Sequence, residues 1–273
     1  MANPKATSSK FSAMFATIVI PLVLVVGYLV FKLVLGHGGN FEGGDNTGHP
    51  IPGNYLGMMY KGGVLVPILI GTFLLVWTVF FERLFTLNAA KGKGSIQDFV
   101  RRVQQALSGN NVNEAIQAAD NQKGSVANVI RAGLEKYKEV ETEPHMDRDQ
   151  KILAIQKEIE ESSALELPML ERNLVILATI SSIATLLGLL GTVLGMIKAF
   201  SALATTGAPD AVALSTGISE ALINTALGIG TSFFAIIFYN YFTSRIDAMT
   251  YAIDEAGNSI AQTYAAKHKL VGA

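Results

Sequence analysis

The sequence predicts an all-α integral membrane protein with four transmembrane helices and a cytoplasmic helical domain. Half of the 273 residues are hydrophobic and only 16% are charged. Apolar runs near 11–35, 62–87, 173–197 and 221–241 each reach the ~20 residues that a helix needs to cross a hydrocarbon core of roughly 30 Å. Most of the charge lies in one stretch, residues 88–172, which reads as amphipathic helices outside the bilayer. A net charge of −1 implies no basic face for nucleic acid. Without cysteine there is no disulfide, no thiolate chemistry and no cysteine-bound zinc.

Segment 1–35 opens with a polar stub carrying Lys5 and Lys10 and continues as an apolar run. That run exceeds the core of a signal peptide, so an uncleaved membrane helix bent at Pro21 is expected. Segment 36–61 is rich in glycine and proline and reads as an irregular periplasmic loop. Its His37, Glu42, Asp45 and His49 match no metal-ligand spacing, so neither metal nor cofactor is expected. Segment 62–87 is the second crossing, with Trp77 and the Glu82–Arg83 pair placed for an interface.

In 88–172, Phe99, Val103 and Leu107 share a helical face, and Asn113 is expected to cap a short helix through Ala119. Residues 126–137 repeat the pattern. A long helix begins at Asp147, shows Ile152, Ile155, Ile159, Ala164 and Leu167 on one face, and is expected to break at Pro168. Segment 173–243 holds the last two crossings, joined by a polar loop at 201–217. Segment 244–273 keeps Ile246, Met249, Ile253, Ile260 and Tyr264 on one face, so the fourth helix should continue well past the membrane. Lys and Arg concentrate in 88–172 and the tail (Arg245, Lys267, Lys269), which places both termini and that domain in the cytoplasm.

The last two crossings carry the functional signal. Ser181, Thr185, Gly188, Thr192, Gly195, Ala199 and Ala202 recur at alternating spacings of four and three, and so do Ala221, Thr225, Gly228, Ser232 and Ala235. This is the seam period of a left-handed helix pair. Two readings fit the stripes: glycines and hydroxyls that only pack helices, or a polar groove facing a partner or a wet path. Glu220 is the carboxylate nearest the bilayer in the fourth crossing, with Asn224 and Thr231 deeper on the same side. The line is expected to face a cavity or a partner, the alternative being that Glu220 simply sits at the water boundary. Lys198 can snorkel or pair with a carboxylate. The central parts of all four crossings lack Asp, Glu, His, Lys and Arg, so any proton crossing here needs a carboxylate from another subunit. They also supply neither a serine–histidine set nor paired aspartates for an intramembrane protease, so no enzyme is expected. A passive scaffold remains the alternative to an ion path.

The stretches 177–200 (Leu-Ala-Thr-Ile-Ser-Ser-Ile-Ala-Thr-Leu-Leu-Gly-Leu-Leu-Gly-Thr-Val-Leu-Gly-Met-Ile-Lys-Ala-Phe) and 217–228 (Gly-Ile-Ser-Glu-Ala-Leu-Ile-Asn-Thr-Ala-Leu-Gly), with Tyr239-Asn240 beyond, resemble the ExbB/TolQ/MotA proton-channel family, and ExbB most. Residues 62–87 are similar to the family's first core helix, which makes the N-terminal crossing an extra one. The resemblance implies a homo-oligomer, a pentameric ring in the bacterial inner membrane, around single-helix ExbD/TolR-type subunits that carry the proton-binding aspartate. It implies a stator subunit that uses proton motive force, with a TonB-like protein, to energise transport across the outer membrane. A TolQ-like envelope role is the alternative. By the same resemblance Thr192 and Thr225 are the pore threonines and Glu220 the pore glutamate. Ser181, Thr185, Gly188, Gly195, Gly228 and Ser232 would line the same path, with Asn224 and Thr231 towards the partner. The chain departs from the family at Thr185 and near Phe234, where family members often have proline.

Overall fold

The computed structural model describes residues 4–204 and 211–268, and the described residues are organised as helices. They are α1 (Pro4–Leu29), α2 (Tyr55–Tyr60), α3 (Val66–Lys91), α4 (Ile96–Ser108), α5 (Val112–Gln122), α6 (Ser125–Glu141), α7 (Arg148–Glu171), α8 (Leu174–Ala204) and α9 (Ala211–Lys267). Four helical stretches are long and apolar enough to cross a membrane. The contacts divide the chain into two units, Met1–Phe80 with Val175–Tyr239, and Phe81–Leu174 with Asn240–Ala273. Helices α3 and α9 each run through both.

In the first unit, α1 ends in a wider π-helical turn, Val30–Leu35. Its backbone approaches α3 closely where Gly27 meets Gly71 and Pro67. Phe31, Leu35 and Val66 form a small core that takes in Ile223 and Leu227 from α9. Segment 36–61, expected to be irregular, is an ordered knot with a short helix of its own. Asn54 caps α2 through Leu56 and Gly57 N–H, and Asn40 donates to the Val34 and Leu35 carbonyls. Phe41 and Pro50 form an isolated bridge. The side chains that order the knot are asparagines, whose hydrogen bonds leave no periodic trace.

The second unit follows its capping chemistry. Ser95 caps α4, and a reciprocal Asp147–Gln150 box opens α7. Asn111, and not Asn113, caps α5, accepting from Glu114 N–H at 3.1 Å. Phe99, Val103 and Leu107 of α4 are buried as their spacing predicts. So are Ile246, Met249, Ile253, Ile260 and Tyr264 of α9. On α7, Ile155 and Ile159 are buried whereas Ala164 is exposed. The helix passes through Pro168 to Glu171. Arg83 is buried, pairs with Glu82 and donates to the Leu170 carbonyl at 3.0 Å, so this pair joins α3 to α7.

Helix α9 is continuous from Ala211 to Lys267, 57 residues, so the helical pattern read over 244–267 is helix. Of the loop expected at 201–217, residues 201–204 and 211–217 are helical, and 205–210 lie outside the described residues. Residues 1–3 and Lys269 also lie outside them.

Candidate functional site

Helices α8 and α9 run antiparallel through the first unit, and the two stripes meet. A Cβ at Gly195 would fall 2.7 Å from Ala221 N, and one at Gly228 would fall 2.5 Å from the Ala184 carbonyl oxygen. Any larger residue would separate the backbones, so close packing is one property of these stripes.

The seam also has two flanks, and they differ. Gly188 and Gly195 on α8, and Ala221, Gly228 and Ala235 on α9, lie on the buried centre line. On one side of it Ala184, Gly191, Asn224 and Thr231 are buried too. On the other side Thr185 is exposed, and Thr192, Thr225 and Ser232 are half-buried. Thr185 and Thr192 of α8 and Thr225 and Ser232 of α9 therefore share one open flank. Thr192 and Thr225 hydrogen-bond each other through their hydroxyls. Thr225 Oγ1 also lies 3.1 Å from the Ala221 carbonyl oxygen and 3.3 Å from that of Gly188. Further along, Ser232 donates to the Ser181 carbonyl, and Ser181 donates to Ala178. A groove of about 630 Å³ opens beside Thr192, walled by Val193, Met196, Ile197 and Phe200.

Sequence reasoning grouped Glu220, Asn224 and Thr231 as a line facing a cavity or partner. All three are buried within the protomer, at 7%, 1% and 1% exposure. Asn224 Nδ2 donates to the Gly62 carbonyl at 2.8 Å and to that of Glu220 at 3.0 Å, so it ties α9 to the start of α3. Thr231 bonds back to Leu227. Both lie on the enclosed side of α9, and their side chains find carbonyls there. Lys198 pairs with Glu220, both carboxylate oxygens lying 2.8 Å from its Nζ. What the sequence did not single out is the Gly62–Gly63 turn against which Glu220 and Asn224 pack.

On its remaining side, α9 meets α3 through rings. Trp77 packs on Phe73, Phe80, Phe234 and Phe238, with centroids between 5.1 and 6.3 Å. Phe234 occupies a position near which family members often have proline; α8 and α9 contain no proline.

Among the described residues no cluster of His, Cys, Asp and Glu is arranged to hold a metal ion. The central parts of α8 and α9 carry hydroxyls and carbonyls but no titrating side chain. Such a flank can hydrogen-bond water or an incoming carboxyl group and holds no titrating side chain of its own.

Residues 121–255 match the model of the MotA/TolQ/ExbB proton channel family. That span takes in the seam, Glu220 and Lys198. The chain is 28% identical over 173 residues to the Tol-Pal system protein TolQ of Pseudomonas aeruginosa, covering 63% of this chain and 74% of the relative. It is 26% identical over 207 residues to the biopolymer transport protein ExbB of Neisseria gonorrhoeae, covering 71% and 90%. A putative ExbB-like biopolymer transport protein of Synechocystis is 36% identical over 112 residues, 40% of this chain and 53% of the relative. With four apolar helices, a seam of small residues flanked by paired threonines, and relatives of both names, the chain belongs to the MotA/TolQ/ExbB proton channel family.

Proposed function

We propose that this chain is the ring-forming subunit of an inner-membrane, proton-driven motor. Five copies surround single-helix ExbD/TolR-type subunits whose carboxylate takes the proton, and the motor energises TonB-dependent transport across the outer membrane. The observation that carries the reading is the open flank: Thr192 and Thr225 are hydrogen-bonded across the seam and only half-buried, a groove opens beside Thr192, and no titrating side chain lies in the central parts of the two helices. A path that offers hydroxyls without a proton carrier suits a partner that brings one. Ser181, Thr185 and Ser232 would extend the flank, while Gly188, Gly195 and Gly228 would set how near the helices stand. Asn224 and Thr231, enclosed in the protomer, would bear on a partner only through the helices they fix.

A second reading, a TolQ-like role in the cell envelope, is favoured by the match to the Pseudomonas aeruginosa protein over 74% of its length. The partner that co-purifies with the chain distinguishes the two.

The decisive test is reconstitution in liposomes with and without the small partner. The chain alone should conduct protons poorly, and equal flux in both preparations would overturn the two-subunit path. Thr192→Val with Thr225→Val keeps shape but removes the hydroxyls, at a stability cost of about 0.6 kcal/mol per hydrogen bond. Ring assembly should survive while flux falls steeply. Normal flux from an intact ring would leave the threonines a packing role only. For orientation, cysteines introduced at the exposed Glu42 and Glu143 of this cysteine-free chain should react with an impermeant thiol reagent from opposite faces, Glu42→Cys from the periplasm.

A further inference from the structure

The ion pair of the first unit is held by more than its two charges. Lys198 Nζ donates to both oxygens of Glu220 at 2.8 Å, the lysine side chain being 58% exposed and the glutamate side chain 9%. The carboxylate also packs against backbone. Gly63 has φ +82°, and a Cβ there would lie 2.0 Å from Glu220 Oε1, so only glycine leaves the carboxylate its place. The neighbouring Gly62 carbonyl accepts from Asn224, one turn along from Glu220.

The turn that presents Gly63 is fixed in its turn by the N-terminal segment. Phe31 stacks on Tyr60 at 4.6 Å, and Phe41 meets the same ring edge-on at 5.5 Å. Lys61 donates to the Asn46 and Thr47 carbonyls at 3.0 and 3.1 Å. Val66, three residues past Gly63, is fully buried with Phe31 and Leu35.

We propose that Lys198 and Gly63 are positioning residues for Glu220, and that the N-terminal helix with its ordered loop braces the turn from which Gly63 acts. Together they keep the Glu220 carboxylate paired and in one orientation on the enclosed side of the seam, one turn from Asn224. A carboxylate whose two oxygens are both engaged by one ammonium group is held to a single orientation, and carriage of the proton falls to the partner's carboxylate. This inference rests on Glu220 lying on the proton path.

The test uses the assembled ring with its small partner and two readouts. Dicyclohexylcarbodiimide has to reach a carboxyl oxygen to add, so Glu220, with both oxygens engaged and its side chain 9% exposed, should label weakly, as read by mass spectrometry. Lys198→Met should raise that labelling several-fold and Lys198→Arg should keep it near the starting level. Gly63→Ala, which pushes the carboxylate off its partner, should raise it as well. In liposomes Lys198→Met should lower flux by about 10- to 100-fold, the scale of a misplaced group, while Lys198→Arg retains most of it. Equal labelling of the unmodified ring and Lys198→Met, or failure of arginine to restore flux, would overturn the proposal. Should Lys198→Met not assemble, unchanged labelling in Gly63→Ala overturns it equally. If labelling responds as expected but the unmodified ring conducts no protons, the proton-path reading falls and the positioning role stands.

Discussion

Along α9 the face turned to α8 consists of Gly217, Ala221, Thr225, Gly228 and Ser232, whereas the face turned to α3 carries Phe234 and Phe238 against Phe73, Trp77 and Phe80. Lipid is as apolar as either face, so neither association is driven by removing apolar surface from water. The first face gains from close backbone approach and from hydroxyls that find carbonyls; the second gains from edge-on ring contacts. The consequences differ. Rings fill the contact between residues 73–80 of α3 and 234–238 of α9, while small residues bring backbones together and leave hydroxyls at the edge of the contact. The same helix thus has a side suited to being held and a side suited to meeting water or a partner.

The largest expected effect comes from forcing bulk into the small face. Gly228→Leu would drive its side chain into the Ala184 carbonyl and the Gly188 backbone. Overpacking of this kind costs about 1–3 kcal/mol or more, and here the obstacle is backbone. Size-exclusion chromatography in detergent should show loss of the assembled ring. If Gly228→Leu assembled normally, the close seam would not be what joins α8 to α9.

Trp77→Ala sharpens the contrast from the other side. It removes four ring contacts, each worth about 0.5–1.5 kcal/mol, but creates no clash. The ring should still assemble, with a clearly lower Tm and proton flux retained. A variant as disruptive as Gly228→Leu would show that the two faces are not mechanically distinct.

The smallest effect is conditional on pH and concerns α9 in the second unit, where it packs as a helix does in water. Tyr264 meets Tyr137 edge-on at 4.9 Å. Burial, with Glu141 and Tyr264 nearby, pushes the Tyr137 hydroxyl up to about 12. In the unfolded chain a tyrosine titrates near 10, so the folded form holds its proton longer. The stability from this difference is complete below pH 10 and is lost as pH rises through 12. Thermal unfolding of this unit should therefore steepen its decline between those values, and Tyr137→Phe should flatten it. An unchanged slope in Tyr137→Phe would assign the decline to other groups.

Most of the fold was legible because period and composition encode it: the four crossings, the Asp147 start and the long final helix all follow from patterning. What escaped were contacts set by single side chains. Asn111 and Asn113 are equally good caps on paper, and the chain settles on the one that begins α5 a turn before Ala115 enters the core. The stripes were legible as lines but not as flanks. Residues 184 and 185 both sit beside the line from 181 to 188, and spacing alone does not tell which of the two faces inward. The structure buries Ala184 and exposes Thr185. The same ambiguity hid the burial of Asn224 beside the half-open Thr225. Glu220 was visible as an isolated carboxylate and Lys198 as a cation able to pair with one; that the two meet joins residues on two helices, which no local pattern records.

The ordered knot at 36–61 has a consequence for anyone mapping this protein by mass spectrometry. Between Lys32 and Lys61 the sequence contains no lysine or arginine, and the Lys61 ammonium is occupied by two carbonyls. Trypsin has no site within the knot, and amine-directed crosslinkers meet at its edge a lysine already engaged. Chymotrypsin at Tyr55, which is 77% exposed, or a glutamate-specific protease at Glu42 would give the peptides that trypsin does not. A tryptic survey would return the segment as one long glycine-rich fragment.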